Sequence, residues 1–375
     1  LKRLLLLGGG HSHVEVLRRF GLQACGDVRI TLVSPDRYTP YSGMLPGFIA
    51  GHYTFHDCHI DLERVSGFAG AHFLQARAIG VDPARRTVLM ADGAALQYDI
   101  ASIDIGSVPP TAGIPGAAEN TIAVKPVGDF LRAWDGLAGA AAHAPQRIAV
   151  VGGGAAGVEL LLSMQHRLAQ TAAAGRLRFL LVTEAGRLLT SHAPAARAVF
   201  ERVLRARNVD IHYRSRVARV EPGSLVTADD QRIAADAIVW ATGSGAPPSL
   251  RNTGLALDTA GFIAVNAQLQ AIMHPDVFAA GDCATIQGSR HPKSGVYAVR
   301  QGPLLADNLQ RALAGKPLRA YRPQPRALAL ISTGDQFAVA SYGSFALSGK
   351  WIWHWKDRID RSFMAKYNAL RAKSS

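Results

Sequence analysis

At 375 residues the chain is long for a single hydrophobic core, so two or three domains are expected. A hydrophobic fraction of 48% excludes a disordered chain, and 41 Lys and Arg against 28 Asp and Glu leave a formal charge of +13. That excess suits nucleic acid, an anionic membrane surface or phosphate-bearing ligands, but no nucleic-acid-binding module accompanies it. Three cysteines, at 25, 58 and 283, form no CxxC or CxxxxC pair, which excludes a disulfide scaffold or dithiol enzyme and points to a reducing, cytoplasmic setting. The opening LKRLLLLGGG imitates a signal peptide, yet its apolar run is short and ends in glycines; no stretch nears the roughly 20 apolar residues of a membrane span.

Leu4 to Leu7 reads as a buried strand, Gly8-Gly9-Gly10 as a turn, Ser12 to Phe20 as a helix and Val28 to Ser34 as a second strand. This is the context of a pyrophosphate fingerprint, G-x-G-x-x-G, but the third glycine is replaced by His13. Ser34 stands where a ribose-binding acid is usual and can itself hydrogen-bond a ribose hydroxyl. Residues 37–53, rich in Pro and Gly, read as a loop packed on a ligand or a neighbouring domain. In the next segment His52, His56, Cys58 and His59 match no metal-ligand spacing and read as partly buried polar residues. Ala78 to Tyr98 reads as a small antiparallel meander, and Tyr98 to Ile105 as an apolar strand ending at Gly106. Pro109, Pro110, Pro115 and Gly116 mark a crossing into a second domain.

That domain opens with a strand at Arg147 to Val151, a complete G-x-G-x-x-G at Gly152, Gly154 and Gly157, a helix from Ala156 to about Ala172, and a strand at Phe179 to Thr183. Glu184 follows the second strand, where a carboxylate holds an adenosine ribose and repels a 2′-phosphate; a solvated strand-end acid is the alternative, and Arg187 stands nearby. Ile233 to Gly243 repeats the strand-into-glycine pattern and returns the chain to the first domain. Val277 to Ala280 reads as a buried parallel strand that stops at Gly281-Asp282, placing a carboxylate where it accepts hydrogen bonds from a sugar or polyol hydroxyl. Gly295 to Leu309 has helical spacing. Beyond Pro323 and Pro325, Leu328 to Tyr342 reads as a hairpin around Gly334-Asp335. Gly349 then opens a basic helix whose Ile352, Trp355, Ile359, Phe363, Tyr367 and Leu370 share one face. Such a helix lies in a membrane interface or docks on its own protein.

In order and spacing, Gly8-x-Gly10, the second glycine motif with Glu159, the ATG ending at Gly243 and the GDCA at 281–284 resemble the pyridine nucleotide-disulfide oxidoreductase superfamily. The resemblance covers nearly the whole chain. It is strongest toward type II NADH dehydrogenases and sulfide:quinone oxidoreductases. GGGHSHVEVLRRF, YTPYSGMLPGF, GVYAVRQG and WIWHWKDRIDRSFM are similar to an NADH-dehydrogenase-like module found fused to selenophosphate synthetase.

The resemblance implies an α/β fold with two Rossmann-like three-layer dinucleotide-binding domains. An NAD(P)H domain (116–244) is inserted into a FAD domain (1–115 and 245–322), and a small C-terminal hairpin and helix (323–375) follow. It implies FAD and NADH, with NADPH disfavoured, and hydride transfer through the flavin to a small-molecule acceptor. Cofactor contacts are expected at Gly8, Gly10, His11, Ser34, Pro46, Gly106, Gly152, Gly154, Gly157, Glu184, Gly243, Gly281, Asp282 and Val296, with no metal. Glu159 matches a residue at the nicotinamide-flavin junction, or is a first-turn acid favoured by the helix dipole. Lys293 supplies charge to a reduced flavin, or is an exposed loop lysine. The flavin-covering segment of type II dehydrogenases reads A-Q-x-A-x-Q-Q-G, with the first Gln facing the quinone; this chain has Val296 there and keeps only Gln301, a departure that counts against quinone and leaves another small molecule as the alternative acceptor. The alternative is a flavin-binding adaptor or redox-sensing module acting on a partner protein, in selenium metabolism by the fusion resemblance. Residues 350–373 suggest peripheral contact with the inner face of a membrane, and homodimerisation stays open.

Overall fold

A run of leucines without alternation suits a strand covered on both faces, and Lys2–Leu7 takes a central place in an eight-stranded sheet. It runs parallel to Val28–Ser34 on one side and to Ile100–Ile103 on the other. His274–Ala279 then pairs in parallel with Ile100–Ile103, so the late return of the chain completes the sheet that the first residues began. The structure is a computed structural model and describes residues 1–23, 26–111, 113–171, 174–289, 292–324 and 327–371. Cys25, Ala172, Pro325 and the end of the tail beyond 371 lie outside the described residues.

Between the two visits to that sheet the chain builds a second, five-stranded one. Its order is Ile122–Ala123, Ala237–Trp240, Gln146–Val151, Leu177–Val182 and Asp210–His212, all parallel. The two crossings touch through a bridge between Val108 and Gly245. Each sheet has its own core, one built on residues such as Leu6, Val14 and Phe278, the other on Ile148, Leu161 and Phe200. The architecture is thus the expected α/β fold with two Rossmann-like domains. The meander is present as Ala78–Asp82, Thr87–Met90 and Ala95–Gln97.

Residues 37–53 are not a plain loop. Tyr38–Pro40 pairs with His59–Asp61, and Leu45–Ala50 is a short helix. Pro46 sits in its first turn, where a missing N–H costs nothing, and Gly51 ends it at φ +87°. Leu45 and Ile49 join the core of the second domain, so the segment does pack on a neighbouring domain.

The C-terminal unit also differs from expectation. Ala329–Ser332 and Ala338–Tyr342 pair as a hairpin, but a third strand, Phe345–Gly349, follows through the two-residue turn Gly343-Ser344. The helix Lys350–Asn368 buries Ile352, Trp353, Phe363, Met364 and Tyr367, while Trp355 and Ile359 are 41% and 42% exposed. The expected stripe is therefore rotated. Lys356 and Asp360, paired at 2.6 Å, occupy the inward face between the two apolar ends, and Lys356 also donates to the Gly43 carbonyl. Further polar bonds tie the helix to the first domain: Tyr53 to Asp357 at 2.8 Å, Arg64 to Asn368 at 2.9 Å and Tyr367 to Glu15 at 3.1 Å. Among the described residues no helix is long and apolar enough to cross a membrane.

Truncation before Gly349 would uncover Ile352's neighbours in the C-terminal sheet and the groove that holds Phe363 and Tyr367. The truncated protein is expected to aggregate, as light scattering after expression will report. Trp351→Ser, at a position 56% exposed, is expected to change stability by less than about 0.5 kcal/mol. A truncated chain that stays monomeric with the same melting temperature would contradict this packing.

Candidate functional site

Both glycine motifs lie where a parallel strand hands over to a helix, and the two differ in what meets the helix N-terminus. At the first, the Asp104 carboxylate accepts the Ser12 N–H at 2.9 Å and the His13 N–H at 3.4 Å. A side chain on Gly10 would meet that carboxyl at 2.2 Å, and one on Gly281 at 2.4 Å, so both glycines make room for Asp104. Burial pushes Asp104 up to about 7, against the pull of the two N–H groups. His13 stands in place of the third glycine because its ring is used as a tie: Nδ1 lies 2.7 Å from the Gly8 carbonyl and Nε2 2.8 Å from Ser102 Oγ. Burial lowers its pKa to about 4, leaving it neutral.

At the second motif a side chain on Gly157 would strike the Gly152 carbonyl, so that glycine serves close packing of helix on turn. Gly154 instead has nothing within 4 Å, and the helix Ala155–Leu168 begins there without a side-chain cap. Free N–H groups opening onto empty space fit the phosphates of a dinucleotide. Glu184 is exposed, two residues beyond the strand Leu177–Val182, with Arg187 also exposed; Gly243 lies exposed on the return crossing.

Asp282 follows the strand His274–Ala279 at the crevice between the domains. Its Oδ2 accepts Lys125 Nζ at 2.7 Å and Ser107 Oγ at 3.0 Å. The turn before it is held by Gln301, whose buried Oε1 accepts the Gly281 N–H at 2.7 Å. His11, first in its helix, turns its ring toward Tyr41 and Phe363, with centroids 5.6 and 6.2 Å away. Its Nε2 is buried without a hydrogen-bond partner among the described residues, an orphaned polar atom that suits a bound ring system with polar edges. Ser34 is buried beside Gly9, and Gly106 sits at φ +72° after the strand Ile100–Ile103. These residues fit a flavin dinucleotide in the first domain.

Beside this crevice is a cavity of about 660 Å³ whose walls include Tyr41, Gly43, Val296, Trp355, Ile359 and Phe363. It lies between the helix Gly295–Leu313, which carries Val296, and the C-terminal helix. Tyr41 stacks on Phe363 at 4.4 Å. Pro46 is buried a few residues further on and does not line the cavity.

Two expected catalytic side chains are turned to other partners. Lys293 donates to the Ala284 carbonyl and, at 2.8 Å, to Thr285 Oγ1, and lies 4.2 Å over the Phe262 ring; burial holds its pKa below the usual lysine value. Glu159 accepts the Ser332 N–H of the C-terminal sheet at 2.7 Å. Withdrawal of its carboxyl from water pushes it up to about 7, against the pull of the Lys356 charge. The histidines near residue 55 are likewise engaged: His52 Nε2 lies 2.7 Å from the Gly334 carbonyl, and His59 stacks on Phe55 at 3.8 Å. Among the described residues no group of three His, Cys, Asp or Glu gathers to hold a metal.

Sequence reading missed Asp104, Lys125 and Tyr41. Asp104 had a signal, an acid at the end of an apolar strand just before Gly106. Lys125 had none, since its partners Ser107, Ser244 and Asp282 are brought to it only by the crossings.

A family model described as pyridine nucleotide-disulphide oxidoreductase matches residues 2–302. An NADH dehydrogenase-like protein of Bacillus subtilis is 27% identical over 332 residues, spanning 86% of this chain and 87% of that protein. Another, from Mycobacterium tuberculosis, is 28% identical over 330 residues, 82% of each. The solved sulfide:quinone oxidoreductase of Aquifex aeolicus superposes with a TM-score of 0.81 at 19% identity, over 100% of this chain and 93% of that one. NDH2 of Plasmodium falciparum, in complex with NADH, gives 0.79 at 15% identity over 100% of both. These two structural likenesses establish a shared fold.

Glu159 makes stability depend on pH. Its folded value near 7 lies above the ordinary 4.5, so the native state keeps a proton that the unfolded chain releases in that window. The stability present below the window is lost as pH rises through it. Glu159→Gln keeps an acceptor for Ser332 and is expected to flatten the fall in melting temperature between about pH 5 and about pH 8. Calorimetry showing the same slope in both proteins would contradict the assignment.

Proposed function

The chain belongs to the pyridine nucleotide-disulphide oxidoreductase family, and on that premise we propose that it is a FAD-dependent NADH oxidoreductase that reduces a small quinone-like acceptor. The observation that carries this reading is the pair of glycine turns at the carboxyl ends of parallel strands in two sheets, bridged across the crevice by Lys125 and Asp282, with a mostly apolar cavity, rimmed by Arg300, Arg358 and Lys366, opening beside them. Flavin, when bound, supplies the two-electron chemistry that links a nicotinamide to a second substrate. The protein's residues bind and orient. The open N-terminus at Gly154 receives the phosphates of NADH, and Glu184 at the strand end takes its ribose hydroxyls and disfavours a 2′-phosphate. Asp282 accepts from the polyol part of FAD, with Gln301 fixing the backbone that aims it. Tyr41, Val296 and Phe363 give the acceptor an apolar slot with one phenolic hydroxyl, whose ionisation is held back by burial and by the charge of nearby buried Asp360.

No cysteine enters this scheme. The two described thiols, Cys58 and Cys283, are free, buried and pushed up to about 12 by burial, so neither offers a thiolate. The names of the relatives favour the same assignment, since the Bacillus subtilis and Mycobacterium tuberculosis proteins are both called NADH dehydrogenase-like.

The purified protein is expected to be yellow and to bleach rapidly on anaerobic mixing with NADH, with colour returning on addition of a short-chain quinone. NADPH should be the poorer donor, and Glu184→Ala should narrow the difference. Slow bleaching with no acceptor would instead identify a flavin-binding adaptor, and protein that takes up no FAD would remove the reading.

The exposed apolar side chains of the C-terminal unit also bear on where the acceptor comes from. Phe345, Leu347 and Trp351 are 78%, 61% and 56% exposed, close in sequence to Lys350 and Arg358. We read this edge as a contact with an anionic membrane surface, from which a lipid-soluble acceptor enters beside Trp355. The protein should sediment with phosphatidylserine vesicles, and Phe345→Ser with Trp351→Ser should release it. Sedimentation unchanged by the double substitution would overturn this.

A further inference from the structure

The first glycine crevice carries negative charge of its own. Asp104, 2% exposed, already occupies the N-terminus of the helix His11–Leu22 through the Ser12 and His13 N–H groups. Asp282 is the second carboxylate, next in the chain to Gly281, where an added side chain would meet Asp104 Oδ1 at 2.4 Å. A flavin dinucleotide brings a pyrophosphate with two more negative charges. In most glycine-turn sites the helix N-terminus offsets such charge; here that end is partly taken by a resident carboxylate.

The cations within reach are not equivalent. Lys293 is engaged by the Ala284 carbonyl and Thr285. Lys125 reaches in from the second domain, between Ile122–Ala123 and the helix Val127–His143, and its Nζ lies 2.7 Å from Asp282 Oδ2, 2.8 Å from Ser107 Oγ and 3.5 Å from Ser244 Oγ. Among the described residues no other lysine or arginine forms an ion pair with Asp104 or Asp282. Its stem stays about one-third exposed, so the ammonium is delivered to the crevice without being walled in.

We propose that Lys125 is the counter-charge that admits an anionic dinucleotide to a crevice already holding two carboxylates, and that it acts by charge rather than as a latch between domains. This rests on FAD as the first domain's cofactor. It makes retention of a ligand in the first domain depend on a residue of the second, so that separation of the two domains withdraws the cation and loosens the flavin.

The test uses the full chain stripped of flavin at about pH 8, above the value of about 7 to which burial pushes Asp104, so that both carboxylates are charged; FAD itself is the probe and quenching of flavin fluorescence the readout. Lys125→Gln is expected to weaken FAD binding by about tenfold or more, the scale of one charge-assisted hydrogen bond. Lys125→Arg should stay within about threefold of wild type, since it restores the charge. Adding Asp104→Asn to Lys125→Gln should recover much of the affinity, because it removes one negative charge while keeping an acceptor for Ser12. A merely structural latch would not be rescued at residue 104. Lys125→Gln that binds FAD within about twofold of wild type, or a loss that neither Arg nor Asp104→Asn repairs, overturns the proposal. Wild-type protein that takes up no FAD would instead fail the cofactor reading, a separable result.

Discussion

The strand Ile100–Ile103 and the turn that leaves it hold the rest of the molecule in place. It is the strand on which both visits to the first sheet register, Lys2–Leu7 along one edge and His274–Ala279 along the other. Ser102 on it receives His13, and Asp104 just beyond it receives the start of the first helix. Gly106 and Ser107 then carry the chain toward the second domain, and Ser107 meets Lys125 arriving from there. A change at this strand end would disturb the glycine turn, the crossing and the Asp282 turn together, because all three close on the same few backbone positions.

That arrangement explains why two motifs of the same type serve different ends. The helix at Gly154 begins uncapped in front of open space, so its unpaired N–H groups and dipole are available to a ligand. At Gly10 the same resource is shared with Asp104, and the remaining electrostatics depend on Lys125. The first site is thus assembled from both domains, whereas the open helix end of the second is built by its own strand and turn.

The C-terminal unit does for the cavity what the crossings do for the crevice. Lys356 and Asp360 face inward because Gly43, Tyr41 and Glu159 lie opposite them, contributed by the first domain and by the second domain's helix. A buried ion pair of this kind is weak evidence of stability and better evidence of register. It sets which side of the helix meets the protein, and so leaves Trp355 and Ile359 on the wall of the cavity rather than in the core.

Local chemistry already determined a good deal. Leu4–Leu7 and Val277–Ala280 specify buried strands because an apolar run without alternation has nowhere else to go, and the glycines at 152, 154 and 157 specify a turn in which carbonyls leave no room for a side chain at 152 or 157 while 154 faces open space. From their order the two-domain fold and the Asp282 turn were legible, as was the docking of residues 37–53 on a neighbour. The helix inside that segment was hidden because the six residues Leu45–Ala50, with Pro46 among them and Gly51 next, are too few for a periodic signal. The rotation of the last helix was hidden as well: periodicity counts apolar residues, and it could not know that Lys356 and Asp360 would find partners indoors. Lys125 and Asp104 were invisible as a site for the same reason. Their meaning lies in distances between segments about 90 to 160 residues apart, and only the packing of strand on strand brings those segments within a hydrogen bond.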